Sequence, residues 1–99
     1  MQEMKISSKQ RANLRAMAQM LEPVVYIGKD GITDNLLSQV VGALEARELI
    51  KCSVQQSCGV NAGEACDMLC NLTHAQGISV LGRKFVLYRR SSQDQKIFF

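Results

Sequence analysis

The apolar residues of the chain recur with helical spacing in three segments. The first stripe consists of Leu14, Met17, Ala18 and Leu21. It predicts a helix over residues 8–20, at whose start Ser7 and Gln10 fit a capping box. The second stripe consists of Leu36, Leu37, Val40, Val41 and Leu44. It predicts a helix that begins after an N-cap at Thr33 and ends near Arg47.

The third helical segment has a similar start signal. Asn61, with Glu64 three residues later, fits a capping box. The apolar face behind it consists of Ala65, Leu69 and Leu72. Gly77 suits the left-handed position that commonly follows the end of a helix.

Short apolar and β-branched runs separate these helices. The predicted strands cover residues 24–27, 49–54, 78–81 and 85–88. A short basic turn joins the last two strands, so they form a hairpin. The order αβαβαββ predicts a two-layer α/β (α+β) domain with a four-stranded mixed sheet. Right-handed crossovers make the first three strands parallel and the last antiparallel, so loops 28–31 and 82–84 lie at one end of the sheet.

A length of 99 residues with 46% hydrophobic and 21% charged residues is typical of one folded domain. This composition argues against a multidomain enzyme, a coiled coil and a disordered chain. We expect one domain over residues 1–99, with a polar tail at 91–99 that is mobile unless its apolar end docks. No apolar segment follows the first residues, so no secretory signal is expected, and no apolar run predicts a membrane span.

Residues 28–31 combine two glycines with a lysine just before a predicted helix. Glycine lets a backbone approach a ligand closely, and a helix N-terminus carries partial positive charge, so this loop can bind a phosphate. The candidate site therefore begins with Gly28, Lys29, Asp30 and Gly31. An ordinary turn between strand and helix explains the same glycines, and on the loop alone that interpretation is favoured.

The net charge of +3 is small but unevenly distributed. Residues 1–21 and 83–99 are basic, whereas residues 30–82 are acidic. The basic residues expected to extend the candidate site are Arg11, Arg15, Arg83, Lys84, Arg89 and Arg90. Each of them alone fits a solvated surface equally well. Their expected convergence on the glycine loop is what favours nucleic-acid binding.

The four cysteines contain no C-x-x-C pair and, without a secretory signal, indicate an intracellular, reducing setting. Cys66, Cys70 and His74 are spaced by four residues and could form a metal-binding stripe, but small core residues are the favoured interpretation. No metal or other cofactor is expected. The single histidine has no catalytic partner motif, so we expect no enzyme activity and no small-molecule substrate.

Three segments resemble the CRM domain, the chloroplast RNA splicing and ribosome maturation module, whose single-domain bacterial form is the YhbY-like RNA-binding protein. They are LEPVVYIGKDGIT at 21–33, ALEARELIK at 43–51 and GRKFVLYR at 82–89. The resemblance runs from about residue 7 to residue 90, although residues 58–74 match poorly. It implies a fold similar to the C-terminal domain of bacterial translation initiation factor three.

The resemblance also implies a cytoplasmic ribosome assembly factor that binds ribosomal RNA of large-subunit precursors. Residues 28–31 are then a G-x-x-G loop that contacts the RNA backbone. KH domains use a similar loop, but there it joins two helices, whereas here it joins a strand to a helix. We expect a monomer. Because Tyr26 and Tyr88 lie in predicted strands and tryptophan is absent, we expect recognition of backbone and shape with little base stacking. The alternative is a protein-interaction module that uses the third helix and the C-terminal tail.

Overall fold

A computed structural model describes residues 6–97 and forms three helices and one four-stranded sheet. The helices are α1 (Ser8–Ala18), α2 (Asp34–Arg47) and α3 (Ala62–Thr73). The strands are β1 (Pro23–Ile27), β2 (Leu49–Val54), β3 (Gln76–Leu81) and β4 (Lys84–Tyr88). The predicted order αβαβαββ is confirmed.

The strands lie in the order β1-β2-β4-β3. β1 is parallel to β2, and β4 is antiparallel to both β2 and β3. The first three strands are therefore parallel and the last is antiparallel, as predicted. The hairpin inserts β4 into the middle of the sheet, so β1 and β3 are its two edges.

The sheet separates two hydrophobic cores. Along β4, Phe85 and Leu87 pack with α2 and α3, whereas Val86 and Tyr88 pack with α1 on the opposite face. The sheet with α2 and α3 makes the two layers expected from the sequence, and α1 adds a third layer behind β2 and β3. Val24 and Tyr26 of β1 stay exposed beside α1.

The helix starts follow the capping signals in the sequence. Ser7 Oγ accepts the Gln10 N–H at 3.1 Å, and Gln10 Oε1 accepts the Ser7 N–H at 2.9 Å. A second capping box begins α3. The end of α3 differs from the expectation, because His74 adopts the left-handed conformation and Gly77 lies in β3. A Cβ at Gly77 would lie 2.9 Å from Cys66 Sγ, so close packing explains this glycine.

A buried carboxylate fastens the segment after β4. Glu48 is fully buried at the end of α2 with φ +65°. Its Oε2 accepts the Ser91 N–H at 2.6 Å, and its Oε1 accepts the N–H groups of Lys96 at 2.7 Å and Ile97 at 2.6 Å. Ile97 packs against the core beneath α1. The apolar Ile97 thus docks on the fold, which is the alternative that the sequence left open for the end of the tail, and residues 98–99 lie outside the described residues.

A second carboxylate, Glu45, holds the start of the same tail. Its Oε1 accepts the Ser92 hydroxyl at 2.6 Å, and its Oε2 lies 2.7 Å from Arg89 Nη2. The hydrogen bond from the Ser92 side chain, followed by those from Arg89 and the Ser92 backbone, holds the pKa of Glu45 below its usual value. The end of α2 and the tail are therefore joined by charged hydrogen bonds.

The hydrogen bonds that Glu48 accepts from the tail, which we call the Glu48 anchor, lead to a prediction about stability. We expect Glu48→Ala to lower the free energy of unfolding by roughly 2–3 kcal/mol, because three backbone N–H groups lose a charged acceptor. Backbone strain contributes little to the difference, since alanine and glutamate adopt φ +65° at similar cost. Urea unfolding followed by circular dichroism measures it. Asp67→Ala on the exposed face of α3 is the control and should stay within about 0.5 kcal/mol; equal losses in both variants would contradict the anchor.

Candidate nucleic-acid interface

The glycine loop, residues 28–31, forms a tight turn directly after β1. The Gly31 N–H donates to the Gly28 carbonyl at 3.0 Å. Gly31 has φ +70°, a left-handed conformation that favours glycine. A Cβ at Gly28 would lie 3.2 Å from Gln55 Oε1, so this glycine lets the loop pass close to the end of β2. Backbone conformation therefore favours glycine at position 31, whereas a Cβ at position 28 would require only a small shift of the exposed Gln55 side chain.

The loop leads into the N-terminus of α2, which forms one wall of a concave site. Thr33 caps this helix, and its Oγ1 accepts the Leu36 N–H at 3.1 Å. The glycine-loop cavity, about 430 Å³, is lined by the loop, the first turns of α2 and the segment after β2. Lys29 is exposed at its rim. The lysine, the N-terminus of the helix and the backbone of the glycine loop together suit the binding of a phosphate.

The hairpin turn lies at the same end of the sheet as the glycine loop, as predicted. The end of β2 connects the two. Its Val54 N–H donates to the Arg83 carbonyl at 2.7 Å, and the next N–H, of Gln55, donates to the carbonyl of Ile27 at 2.8 Å. Arg83 and Lys84 are exposed there. β1 lies two strand positions from β4 and three from β3. The loop and the turn that joins β3 to β4 are therefore separated by roughly 10–14 Å.

α1 contributes one of its two candidate arginines to this surface. Arg15 is exposed and lines a groove of about 350 Å³ with Lys51 and Lys84 of the sheet, which we call the sheet groove. Arg11 is half-buried, and its Nη1 donates a hydrogen bond to the Gly77 carbonyl in β3. Arg11 therefore fastens α1 to the sheet, whereas Arg15 faces the groove.

Two candidate arginines lie away from the glycine loop. Because β4 runs antiparallel, Arg89 and Arg90 leave the sheet at the opposite end from the loop. Arg89 pairs with Glu45 at 2.7 Å and donates to the Thr73 carbonyl at 3.0 Å, so it joins α2, α3 and β4. Arg90 is exposed beside Tyr88. The structure thus brings Arg83 and Lys84 to the same end of the sheet as the loop, whereas Arg15 joins Lys84 in the sheet groove. It does not bring Arg11, Arg89 and Arg90 to the loop.

Sequence reasoning missed two residues of this surface, Lys51 and Tyr26. Lys51 lies between the buried residues Ile50 and Cys52, so it faces the other side of the sheet. Tyr26 is 56% exposed, because its neighbours in β1 face the core beneath α2. Lys51 is visible in the sequence as a cation within the apolar run 49–54, whereas Tyr26 lies in the uninterrupted run 24–27 and has no such signal. A strand position by itself does not show whether a tyrosine ring is exposed for base stacking, because Tyr26 and Tyr88 both lie in strands and of the two only Tyr88 is buried.

Charge is divided between the two faces of the sheet. The helices α2 and α3 carry the acidic residues Asp34, Glu45, Glu64 and Asp67. Among the strand residues, none is acidic. The acidic residues near the site are Asp30, in the loop itself, and Asp34, in the first turn of α2, whereas Glu22 precedes β1 at the opposite end of that strand. The α1 face is therefore the basic side of the molecule and suits a polyanion.

The cysteines belong to the core beneath α2 and α3. Burial raises the pKa of Cys52 to about 12. A hydrogen bond with Cys70, together with burial, raises the pKa of Cys66. These thiols stay protonated at neutral pH and do not act as thiolates. Within residues 6–97, no group of three or more His, Cys, Asp or Glu side chains is arranged to hold a metal ion. None of the described helices has the length and apolar character that a membrane span requires.

Comparison with known proteins shows that this chain is similar to members of one family over most of its length. The CRS1 / YhbY (CRM) domain profile matches residues 6–89. The chain is 37% identical over 92 residues to the Bacillus subtilis "Probable RNA-binding protein YqeI", covering 93% of this chain and 96% of that protein. It is 32% identical over 88 residues to an "RNA-binding protein" of Haemophilus influenzae, covering 89% of each. A Staphylococcus aureus solution structure is similar with a TM-score of 0.78 and 34% identity, covering 95% of this chain and 98% of that one.

The conformation of the glycine loop can be tested with two alanine variants. Neither Gly31 nor Gly42, within α2, has a neighbour within 4 Å of an added Cβ, so the two differ in backbone conformation and not in space. We expect Gly31→Ala to lower the free energy of unfolding by about 1–2 kcal/mol, because φ +70° disfavours a side chain. Gly42→Ala should raise it by up to about 1 kcal/mol, since alanine favours a helix. Thermal unfolding measures both, and stabilisation by Gly31→Ala would contradict the described loop.

Proposed function

The chain belongs to the CRS1 / YhbY (CRM) domain family, and from this premise we propose that it is an RNA-binding protein that holds its ligand at the glycine loop and the neighbouring basic face. The single observation that carries the proposal is the meeting of the loop and separate cations at one end of the sheet. The proposal is supported by the origin of these cations in two separate connections, since Lys29 follows β1 and Arg83 and Lys84 belong to the hairpin between β3 and β4. The names of the relatives support the same ligand class.

We propose that the loop contacts the phosphate backbone rather than the edges of bases. The loop offers backbone N–H groups, a helix N-terminus and one lysine, which recognise charge and shape without reading sequence. The sheet groove extends this contact with Arg15, Lys51 and Lys84. Binding by such a surface needs no bond chemistry, so we propose a protein that holds RNA without transforming it.

The finer proposal is that the RNA is ribosomal RNA in precursors of the large ribosomal subunit, bound in the cytoplasm by a monomer acting as an assembly factor. It rests on the resemblance of residues 21–33, 43–51 and 82–89 to the ribosome-maturation module. The alternative of a protein-interaction module at α3 and the tail has less support. Ile97 packs against the core beneath α1, so this part of the tail is occupied within the chain.

The first test of the proposal is the charge of Lys29. We expect Lys29→Gln to weaken binding of a single-stranded RNA oligonucleotide and to reduce the salt dependence of binding by about 0.7 in log–log slope, because one phosphate contact is lost. Fluorescence anisotropy across a series of salt concentrations measures both quantities.

The matched control for Lys29→Gln is Lys96→Gln. Lys96 is also exposed, but it lies in the tail and pairs with Asp94 at 2.8 Å. The control removes the same charge from the whole protein and should leave the slope as it is in the unchanged protein. Equal slopes in both variants would remove Lys29 from the interface.

The ribosomal proposal is tested by sedimentation of a cell lysate in a sucrose gradient at low and moderate salt. We expect the protein to migrate with precursors of the large subunit and to leave them after RNase treatment or at the higher salt, since phosphate contacts weaken as salt rises. A protein that stays at the top of the gradient at both salts would overturn the ribosomal proposal. Comigration indifferent to RNase would favour the protein-interaction alternative.

A further inference from the structure

The strand register places an exposed row of side chains beside the glycine loop. Tyr26 pairs with Ser53, Ser53 pairs with Lys84, and Lys84 pairs with Leu81. Directly paired residues of neighbouring strands project from the same face of a sheet. The Tyr26 row, as we name these four residues, therefore crosses the whole sheet on the α1 face, from one edge strand to the other.

The row is open to solvent although two of its members are large and apolar. Tyr26 is 56% exposed and Leu81 is 84% exposed. α1 packs against β2 and β3 over the core around Leu14 and Ala18, which leaves Tyr26 uncovered. Lys84 of the row is exposed as well. The row therefore presents an aromatic ring, a hydroxyl, a cation and an aliphatic side chain in succession.

Tyr26 is also where this row meets the proposed backbone contact. It borders the glycine-loop cavity together with Gly28 and Lys29. At the other side of the row, Lys84 and Leu81 line the sheet groove with Lys51 and Arg15. One continuous path therefore leads from the phosphate-binding loop, past an exposed ring, to a second group of cations.

A phosphate-binding surface needs cations but has no need of an exposed ring. Aromatic rings stack on unpaired bases, and this contact tolerates any base because each one has a π face. The bases of a duplex are already stacked on each other and do not offer that face. Charge complementarity favours RNA over a protein partner, since the strand residues of this face carry cations and no carboxylate.

We propose that the Tyr26 row binds an unpaired segment of RNA, with one base stacked on Tyr26 and the flanking phosphates held by Lys29 on one side and Lys84 on the other. The inference rests on the proposed function and deepens it, because it names single-stranded RNA as the preferred ligand. It also replaces the expectation of little base stacking with a contact at one defined ring.

The experiment compares Tyr26→Leu, Tyr26→Ala and Tyr26→Phe in binding to a 12-nucleotide oligouridylate and to a 12-base-pair RNA duplex. We expect Leu and Ala to weaken single-strand binding by roughly 5- to 100-fold, as loss of one stacked base does, and Phe to restore most of it. The salt slope should stay unchanged, because the ring carries no charge. Duplex binding should change by less than about twofold, since no base is free to stack there.

The matched control is Leu72→Ala on α3, which removes a side chain of similar exposure, 54%, from the opposite face of the sheet. It should bind both RNAs as the unchanged protein does. Tyr26→Leu keeps an apolar side chain in β1, and circular dichroism confirms folding of each variant before binding is measured.

Tyr26→Trp adds a direct readout, because the chain has no other tryptophan and stacking on the oligouridylate should quench its emission.

The outcomes separate the two proposals. If the unchanged protein binds the oligouridylate and Tyr26→Leu and Tyr26→Ala bind it equally well, the stacking inference is overturned and the proposed function stands. Equal losses for single strand and duplex would also overturn the inference, because the ring would then support the surface rather than contact a base. If the unchanged protein binds neither RNA at low salt, the proposed function fails, and the inference fails with it.

Discussion

The alternation of side chains along the two central strands is the constraint on which the rest of this structure depends. β2 and β4 send every second residue to the core beneath α2 and α3 and the intervening residues to the α1 face, where Leu49, Val86 and Tyr88 join the second core. A shift of one residue in β2 would place Lys51 among buried aliphatic residues, and the same shift in β4 would turn Lys84 toward the core. Two cores on one four-stranded sheet therefore require the observed register, and the register in turn places Lys51 and Lys84 on the α1 face.

The topology of the sheet explains why the candidate site is at one end. Parallel β1, β2 and β3 all finish at this end, so the loop after β1, the segment after β2 and the turn after β3 meet there. The hydrogen bonds of Val54 and Gln55 tie these three connections together. At the other end, Glu45 and Glu48 gather the last turn of α2, the end of β4 and the tail. One end is thus held by internal charged contacts, while the other keeps its cations exposed.

This division also accounts for the two kinds of arginine in the molecule. Arg11 and Arg89 satisfy backbone carbonyls between elements, and Arg89 is also neutralised by Glu45. Arg15 and Arg83 are exposed on the side where the strands carry no carboxylate. A buried or bridged guanidinium stabilises the fold, whereas an exposed one raises the local potential that attracts a polyanion. Both kinds look alike in the sequence.

Local signals in the sequence determined the helices, the strands and their order, because capping boxes, turn glycines and apolar periods act over a few residues. The capping boxes at Ser7 and Asn61 and the glycine loop needed no distant contact to be predicted. The tertiary structure alone decided that Glu48 anchors the tail, that Arg11 is hydrogen-bonded to the Gly77 carbonyl, and that Tyr26 is exposed. The physical reason is that hydrogen-bond partners and exposure depend on residues far apart in the chain, such as the 49 positions between Glu48 and Ile97. A spacing rule cannot contain such contacts, and only the packed sheet creates them.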